Sequence, residues 1–400
     1  MADTKQLLSG VRVLDLSHIY NGPYATYLLA LAGAEIVKIE PREGEHLRQR
    51  AALGGAASLP FAMLNGNKRT LRLDLKQARG RDILIDLARK SDVVVENFAP
   101  GVTERLGIGP EALQAANPRL IYASSSGYGR SGPYRDYPAM DLTMQAMCGV
   151  MSITGFPDGP PLKSGPALCD FFAGTHLYGG IVTALYERER TGRGRVVEVS
   201  MQESVYAALS SNLGMVHAMG NAVPPRTGNR HGGLAEAPYN VYPARDGHIA
   251  IICNNNRHFH ALLKAMGRPE LADDPRFANL KTRVAHIDTI DALVSEWTRQ
   301  HDRAALTALL LQHRVPHAPV RDLVEVMDDP NMHARGSLQR LDHPEFGRIT
   351  VQHSPMRYAG VPRLPLEPSR PLGADSRAVL VELLGLGDAE LDALRRDDVI

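Results

Sequence analysis

Short apolar runs alternate with helical patterns along the first third of the chain. Val11 to Leu16 and Ala34 to Ile39 each have the length and composition of a buried strand, and Pro23 to Ala32 between them indicates a helix. Proline suits the first turn of a helix, and Gly33 is well placed to end this one. Because two parallel strands need a crossover of this kind, the pattern predicts a strand–helix–strand unit and a parallel sheet.

The same alternation continues downstream. A helix is predicted over about Arg81 to Lys90, where Ile83 and Leu87 lie four residues apart. Further strands are predicted at Asp92–Glu96, Leu120–Ser125 and Val196–Ser200, and further helices at Leu168–Arg190 and Met201–Met219. We therefore expect an α/β protein with a Rossmann-like large domain, whose parallel sheet carries helices on both faces.

Two changes of composition divide the rest of the chain. Asn221 to Ala237 is rich in Pro, Gly, Arg and His, and the following segment predicts a hairpin over Tyr239 to Ile252 around Asp246-Gly247. Near Asp329 a Pro-rich stretch begins, which we expect to run extended to Leu372 before a final helix over Ser376 to Leu384. These patterns predict a large domain of residues 1–224 and 331–400, with a smaller α+β domain of residues 225–330 inserted in it.

The composition excludes several classes of protein. With 45 Lys and Arg against 44 Asp and Glu, the net charge of +1 argues against a chain built to coat nucleic acid or an acidic membrane. Three cysteines exclude a disulfide scaffold and fit a reducing compartment. The first residues lack a signal-peptide core, and no apolar run approaches the ~20 residues of a membrane span. We expect a soluble, cytoplasmic protein without nucleic-acid or membrane partners.

Several familiar motifs are weak or missing. Gly127, Gly129 and Gly132 spell GxGxxG after a predicted strand, but Pro133 and Pro138 interrupt the helix that should follow, which favours a simple turn over a dinucleotide fingerprint. His258 and His260 are two residues apart, so they do not face the same way on a helix, and no Cys pair or HExxH motif accompanies them or the pair His313 and His317; we predict no metal. No GxSxG elbow or GxxxxGK[ST] loop is present.

Asp170 stands at the head of a predicted apolar helix, in SGPALCDFFAG. One interpretation is an N-cap, whose carboxylate accepts from the first free amides of the helix. The other is a carboxylate nucleophile, kept ionised by the helix N-terminus and surrounded by small residues that leave room for an acyl group.

Basic residues fall in the loops that follow the predicted strands. Taken singly, each is best interpreted as a surface charge; taken together, they lie at the usual ligand edge of an open parallel sheet and indicate a cofactor that bears several phosphates. They include Arg42, Arg48, Lys68, Lys76 and Arg105.

The assembled pattern resembles the class III CoA-transferases, also called the CaiB/BaiF family, and formyl-CoA transferases among them. The resemblance extends in order over nearly the whole chain. Its main stretches are LSGVRVLDLSHIYNGP, LAGAEIVKIE, NGNKRTLRLDLK, DVVVENFAPGVTERLG, NPRLIYASSSGYGRSGP, DLTMQAMCGVMSITG, SGPALCD and TGRGRVVEVSMQES.

The resemblance implies roles for particular residues. The family's acylated aspartate matches Asp170, and its acidic residue near the thioester matches Asp141. The family's CoA contacts fall on Tyr20, Asn21, Leu73, Lys76, Asn97, Phe98 and Arg105. The phosphate-binding arginine of the family has its nearest counterpart in Arg42, displaced by one position because Pro41 takes its slot. His18, Arg48 and the Asn229-Arg230-His231 loop are candidates for holding a second carboxylate.

The implied activity is transfer of CoA from an acyl-CoA donor, with succinyl-CoA expected, to a small carboxylic acid, with a dicarboxylate expected, through a covalent aspartyl intermediate. CoA is then a cosubstrate, no tightly bound cofactor is expected, and the resemblance implies a homodimer of interlocked chains. One alternative is an acyl-CoA racemase or epimerase of the same fold, although the histidine that those enzymes place before the acidic residue is Met140 here. The other is a non-catalytic acyl-CoA-binding protein.

Overall fold

The computed structural model of the chain describes residues 6–50 and 58–400. These residues fall into two compact units. The first comprises the described residues within Met1–Met144, Pro166–Val205 and Asp329–Ile400, and the second comprises Gln145–Gly165 and Tyr206–Asp328. The second unit thus includes residues 145–165 and 206–224, which the sequence patterns place with the large domain. The bounds of the domains themselves stay a prediction.

The strands are β1 (Arg12–Asp15), β2 (Glu35–Glu40), β3 (Arg69–Arg72), β4 (Val93–Glu96), β5 (Ile121–Ser126), β6 (Val196–Ser200), β7 (Tyr239–Ala244), β8 (Gly247–Ile252), β9 (His317–Pro319), β10 (Leu338–His343) and β11 (Gly347–Gln352).

The α-helices are α1 (Asn21–Leu31), α2 (Leu59–Asn65), α3 (Ala78–Arg89), α4 (Val102–Arg105), α5 (Pro110–Ala116), α6 (Asp141–Met147), α7 (Val150–Ile153), α8 (Leu168–Thr191), α9 (Met201–Tyr206), α10 (Ser210–Met219), α11 (Asn256–Ala265), α12 (Leu280–Ala285), α13 (Ile287–Thr298), α14 (Arg303–Gln312), α15 (Leu323–Met327), α16 (Pro330–Ala334), α17 (Ser376–Leu384) and α18 (Asp388–Arg396).

The first unit is built on a parallel sheet with the strand order β3-β2-β1-β4-β5-β6. All neighbouring strands in it run parallel, with Val13 of β1 opposite Ile36 of β2 on one side and Val93 of β4 on the other. The order reverses at β1, which places a crevice at the carboxyl ends of β1 and β4. The expected α/β fold with a parallel sheet is confirmed.

Helices cover both faces of this sheet because successive strand residues point to opposite sides. Val13 and Val93 pack beneath α1 and α8 in one apolar core. Their chain neighbours Leu14 and Val94 belong to a second core, formed with α3, α5, α17 and α18. Near-continuous apolar strands such as VVV in β4 are the expected consequence of burial on both faces.

Three of the predicted elements differ in the structure. The stretch from Asp329 is not extended throughout, because α16 and the antiparallel hairpin β10–β11 form within it, with Gly347 at φ +66° as the first residue of β11. A 3-10 turn at Ala207–Leu209 interrupts the predicted helix over Met201–Met219. The helix at Ser376–Leu384 is confirmed but is not the last, since α18 follows and buries Leu391 and Leu394.

The second unit has its own apolar core. The β7–β8 hairpin forms with its turn at the predicted Asp246-Gly247, and β9 adds a third antiparallel strand. Helices α11, α13 and α14 pack on this sheet through Phe259, Ile290 and Leu306.

Within the two described ranges, no helix has both the length and the apolar character that crossing a membrane would require.

The contact of α1 with α8 generates a prediction about two glycines of α8. A Cβ on Gly174 would lie 2.5 Å from the Asn21 carbonyl oxygen, whereas a Cβ on Gly179 would meet nothing within 4 Å. We expect Gly174→Ala to destabilise the protein by about 1–3 kcal/mol, because two helix backbones must move apart. We expect the matched change Gly179→Ala to stabilise it by about 0.5–1 kcal/mol through helix propensity. Urea unfolding of both variants checks this; equal effects would contradict the close approach.

Candidate active site

A cluster of buried charges lies beneath the carboxyl edge of the sheet. The Lys68 ammonium donates to an Asp15 carboxylate oxygen at 3.0 Å, and Lys38 lies 4.0 Å from Asp15 and 3.7 Å from Glu45. All four side chains are fully buried. The interpretation of Lys68 as a surface charge is therefore wrong: Asp15, Thr26, Asn65 and the Pro23 carbonyl surround its ammonium group.

The opposing charges set the protonation of this cluster. Burial alone would raise the pKa of Asp15, but Lys38 and Lys68 together hold it well below its usual range. Burial lowers the pKa of Lys68 to about 8, against the attraction of Asp15. The Asp15–Lys68 pair is therefore mostly ionised at neutral pH, and the cluster supports the loop that joins β1 to α1.

Side chains hold that loop at successive positions. The Ser17 carbonyl accepts from Lys38 at 2.8 Å. The His18 amide donates to the Asn97 side chain at 2.7 Å, and the Asn97 amide group donates back to the His18 carbonyl at 2.8 Å. The Ile19 amide donates to Glu45 at 3.1 Å, and the Asn21 side chain donates to Ser125 at 2.9 Å. The loop is therefore fixed before any ligand arrives.

An apolar cavity of about 190 Å³ opens at the same edge of the sheet. It brings together four of the residues that the resemblance implicates, His18, Leu73, Lys76 and Phe98. The His18 and Phe98 rings meet edge to face at 5.1 Å. The cavity lies outside the carboxyl ends of the strands where their order reverses, which is the usual ligand position in open α/β sheets.

The remaining residues predicted to contact CoA differ in their surroundings. Arg105 is exposed, as is Lys76 in the wall of the cavity. Arg42 forms an ion pair with Asp398 and is 63% exposed. The carboxamide of Asn97 is already occupied by the His18 backbone, so its side chain acts on the loop.

Asp170 lies in the first turn of α8 and is 9% exposed. It is not the N-cap: that position belongs to Ala167, whose side chain makes no capping bond. The capping carboxylate is supplied instead by Asp141, which accepts from the amides of Cys169 at 2.9 Å and Asp170 at 3.3 Å. The N-cap interpretation of Asp170 is thus wrong, because a residue 29 positions upstream fills the role.

The electrostatics of Asp170 follow from this arrangement. Burial, and then the nearby charge of Asp141, raise the pKa of Asp170 from 3.8 to about 7. Asp170 is therefore less ionised at neutral pH than a helix N-terminus alone would predict, because burial and the charge of Asp141 act against its ionised form. At neutral pH the group is poised between its two forms, as acid–base and nucleophilic groups in active sites often are.

Tyr20 and Asn21 approach Asp170 through the contact of α1 with α8. The Tyr20 ring stacks on Phe171, the residue after Asp170, at 5.8 Å and 18°. Tyr24 meets the same ring edge to face at 5.0 Å. The Asn21 Oδ1 is buried without a hydrogen-bond partner among the described residues. The loop of residues 17–21 therefore runs from the cavity at His18 to the neighbourhood of Asp170.

The candidates for holding a second carboxylate are either neutral or already paired with an acidic side chain. Burial, and then Lys38, lower the pKa of His18 to about 4, so it is neutral at pH 7. Arg48 pairs with Glu40 through two hydrogen bonds of 2.7 and 2.8 Å. Arg230 pairs with Asp288 and Asp291 at 2.6 and 2.8 Å. Each arginine thus already has a carboxylate partner within the protein.

The glycine motif and the histidine pairs play no visible part in this site. Gly127, Gly129 and Gly132 form a turn after β5, and the next helix begins only at Asp141, as the intervening prolines predict. Among residues 6–50 and 58–400, no group of three or more His, Cys, Asp or Glu side chains is arranged to hold a metal ion.

Sequence reasoning missed Glu45 and Phe171 as parts of this region. Glu45 contacts the loop from a different segment, and only the strand order brings the two together. Phe171 could have been proposed as part of the site because it directly follows Asp170. Its stacking on Tyr20 could not be predicted from the sequence.

Comparison with known proteins identifies relatives of the whole chain. Residues 8–376 match the family model of CoA-transferase family III. Formyl-CoA:oxalate CoA-transferase of Streptomyces avermitilis is 38% identical over 98% of this chain and 99% of its own. Succinyl-CoA–D-citramalate CoA-transferase of Chloroflexus aurantiacus is 36% identical over 98% of both chains. A solved CaiB/BaiF family protein of Brucella suis superposes with a TM-score of 0.83 at 33% identity, covering 95% of this chain and 100% of its own.

The raised pKa of Asp170 makes a prediction about stability. A carboxyl group whose folded pKa is about 7 rather than 3.8 holds its proton more tightly when folded, so stability falls as pH rises from about 4 and the loss is complete above pH 7. An asparagine side chain at this position cannot ionise. We therefore expect Asp170→Asn to be more stable than the parent by about 4 kcal/mol at pH 8, and the gain to be about 2.5 kcal/mol smaller at pH 5.

Urea unfolding of both proteins at the two pH values measures this difference. The matched control is Asp158→Asn, a change at an exposed aspartate, which should alter stability little at either pH. A gain that is the same at pH 5 and pH 8 would show that burial of the Asp170 charge is not its cause.

Proposed function

The chain belongs to CoA-transferase family III, and from that premise we propose that it moves CoA from succinyl-CoA to a small dicarboxylic acid through a covalent intermediate on Asp170. As a member of this family it is an enzyme that transfers CoA between carboxylic acids.

One observation above all supports Asp170 as the nucleophile. It is a buried carboxylate with a raised pKa at the start of a long helix, one residue from a ring that stacks on Tyr20 at the end of the β1–α1 loop. A purely structural aspartate at this position would be expected to cap the helix, and Asp141 already does so. A relative from Mycobacterium tuberculosis, 28% identical with a TM-score of 0.82, has been solved as an aspartate-to-alanine mutant.

The proposed reaction proceeds in balanced steps. The Asp170 carboxylate attacks the thioester carbonyl of succinyl-CoA, the C–S bond breaks, and a mixed anhydride and CoA thiolate result. The thiolate attacks the aspartyl carbonyl, which releases succinate and leaves CoA on Asp170. The acceptor carboxylate then attacks this thioester, and the freed thiolate attacks the acceptor carbonyl, which regenerates Asp170. Dividing one exchange into several steps lowers each barrier.

The substrate class rests on the relatives. Oxalate and D-citramalate, the acceptors in their names, are small dicarboxylic acids, and formyl-CoA and succinyl-CoA are their donors. The arginines Arg48 and Arg230 are paired with acids of the protein itself.

The two alternatives have less support. A racemase needs a base to move the α-proton, and Met140, which precedes Asp141, cannot act as one. A protein that only binds acyl-CoA would have no need of a buried carboxylate with a raised pKa beside its ligand edge.

We also propose a homodimer. Leu323, Val324 and Met327 of the second unit are 80%, 68% and 48% exposed, and apolar side chains grouped in this way favour a surface that is covered in an assembly.

The nucleophile is tested by trapping. We expect incubation with succinyl-CoA to give a covalent adduct on the peptide that contains Asp170, detectable by mass spectrometry, and transfer of CoA to oxalate or citramalate. Asp170→Asn should form no adduct and lose transfer by at least ~10³-fold, because the nucleophile is absent, yet still bind CoA. An active Asp170→Asn variant would refute the mechanism, and activity with monocarboxylic acids alone would refute the substrate class.

The CoA site is tested through its exposed cations. We expect Lys76→Ala and Arg105→Ala each to weaken CoA binding at least about tenfold, or ~1.5 kcal/mol, through a lost contact to phosphate. Calorimetry with CoA and its 3′-dephosphorylated form shows which phosphate each cation meets. Lys90→Ala is the matched control, because Lys90 is also exposed but lies before β4, at the opposite edge of the sheet. Unchanged affinity in Arg105→Ala would remove that residue from the site.

A further inference from the structure

Ile19 adopts a backbone conformation that its side chain disfavours. Its φ is +66°, in the left-handed region, where branching at Cβ makes a residue a genuine outlier. Such a conformation persists only where the surroundings impose it, and it is found preferentially at ligand sites. The β1–α1 loop therefore contains a strained turn that some other group must hold.

Glu45 is the side chain that holds this turn. One of its carboxylate oxygens accepts from the Ile19 amide and from the Leu47 amide, both at 3.1 Å. Its other oxygen lies 3.7 Å from Lys38, whose ammonium donates to the Ser17 carbonyl at 2.8 Å. Glu45 and Lys38 are both fully buried, so this bridge grips the loop at two points, one on each side of His18.

The turn at Ile19 joins the two halves of the candidate site. His18, on one side of it, lines the cavity that also contains Lys76. Tyr20, on the other side, stacks on Phe171 beside Asp170. Because Asn97 fixes His18 and Ser125 fixes Asn21, the φ of Ile19 sets how these two halves are placed relative to each other.

We propose that Glu45, held by Lys38, is a positioning residue that imposes the left-handed turn at Ile19 and thereby shapes the β1–α1 loop to receive CoA. This inference rests on the proposed function, since it assumes that CoA lies along residues 17–21. It assigns to Glu45 no contact with substrate.

Four variants and a control test the proposal through the affinity for CoA, measured by calorimetry, and through kcat/KM for transfer. Glu45→Ala should raise the Kd for CoA at least tenfold, and Glu45→Gln should raise it less, because the amide oxygen still accepts. Adding Ile19→Gly to Glu45→Ala should recover most of the lost affinity, because glycine adopts a positive φ without strain. Ile19→Pro should weaken binding at least tenfold with Glu45 intact, because proline fixes φ near −65°.

Asp92→Asn is the matched control. Asp92 also accepts from a backbone amide, that of Arg12 at 2.7 Å, and from a buried arginine, Arg188 at 2.8 Å, but at the amino edge of the sheet. The Asp92→Asn variant should be less stable than the parent, while its Kd for CoA should be unchanged. Rescue by glycine separates positioning from stability, since loss of packing alone would not be restored by removing another side chain.

A folded Glu45→Ala variant with the parent's Kd and kcat/KM would overturn the proposal, and so would a failure of Ile19→Gly to restore binding. If Glu45→Ala does not fold, Ile19→Pro decides: parental affinity there overturns the proposal, and weakened affinity supports it. A parent protein that neither binds CoA nor transfers it would overturn the proposed function and this inference together. If the parent binds CoA and transfers it, but the variants have the same Kd and kcat/KM as the parent, the inference alone is overturned.

Discussion

The ion cluster of Asp15, Lys38, Lys68 and Glu45 is the interaction on which the ligand edge of the sheet depends. Its members come from β1, β2 and the loops that follow β2 and precede β3, so it ties three neighbouring strands together at their reversal point. Buried ion pairs contribute little net stability, because desolvation offsets their attraction. Their value here is geometric: each charge also holds a backbone group or a neighbouring side chain, and the β1–α1 loop takes its shape from those bonds.

The cluster also affects which polar residues of the site are charged and which are exposed. His18 is kept neutral by burial and by Lys38, so it contributes a ring and a fixed backbone and no charge. Lys68 is buried, whereas Lys76, which lines the cavity, and Arg105, which directly precedes the lining residue Leu106, are exposed cations. A ligand with phosphates would thus meet its positive charges at the rim and apolar walls within, an arrangement that favours a long, partly apolar molecule.

The sequence predicted the layers of the fold because hydrophobic periodicity is local. The runs at Val11–Leu16 and Ala34–Ile39 and the helix over Leu168–Arg190 are patterns that a few residues determine. It missed β3 and the β10–β11 hairpin, whose polar and mixed residues become strands through pairing with distant chain. In the site, Asp170 was singled out by its place at the head of a predicted helix and by the resemblance, and Asp141 by the resemblance alone. Asp141 caps the helix of Asp170 from 29 residues upstream, and Lys68 is buried against Asp15, 53 residues away. A local sequence pattern contains no information about such contacts.

The cost of ionising the buried Asp170 side chain favours the covalent intermediates of the proposed mechanism. Burial and the charge of Asp141 disfavour its ionised form, by about 4 kcal/mol for a pKa raised from 3.8 to about 7. In the proposed mechanism both the anhydride and the CoA thioester on Asp170 are neutral at that carbonyl. Each covalent intermediate therefore removes the buried charge and its repulsion from Asp141, whereas the free carboxylate retains both. The features that make Asp170 costly in the resting protein are those that would stabilise its acylated states relative to the starting carboxylate.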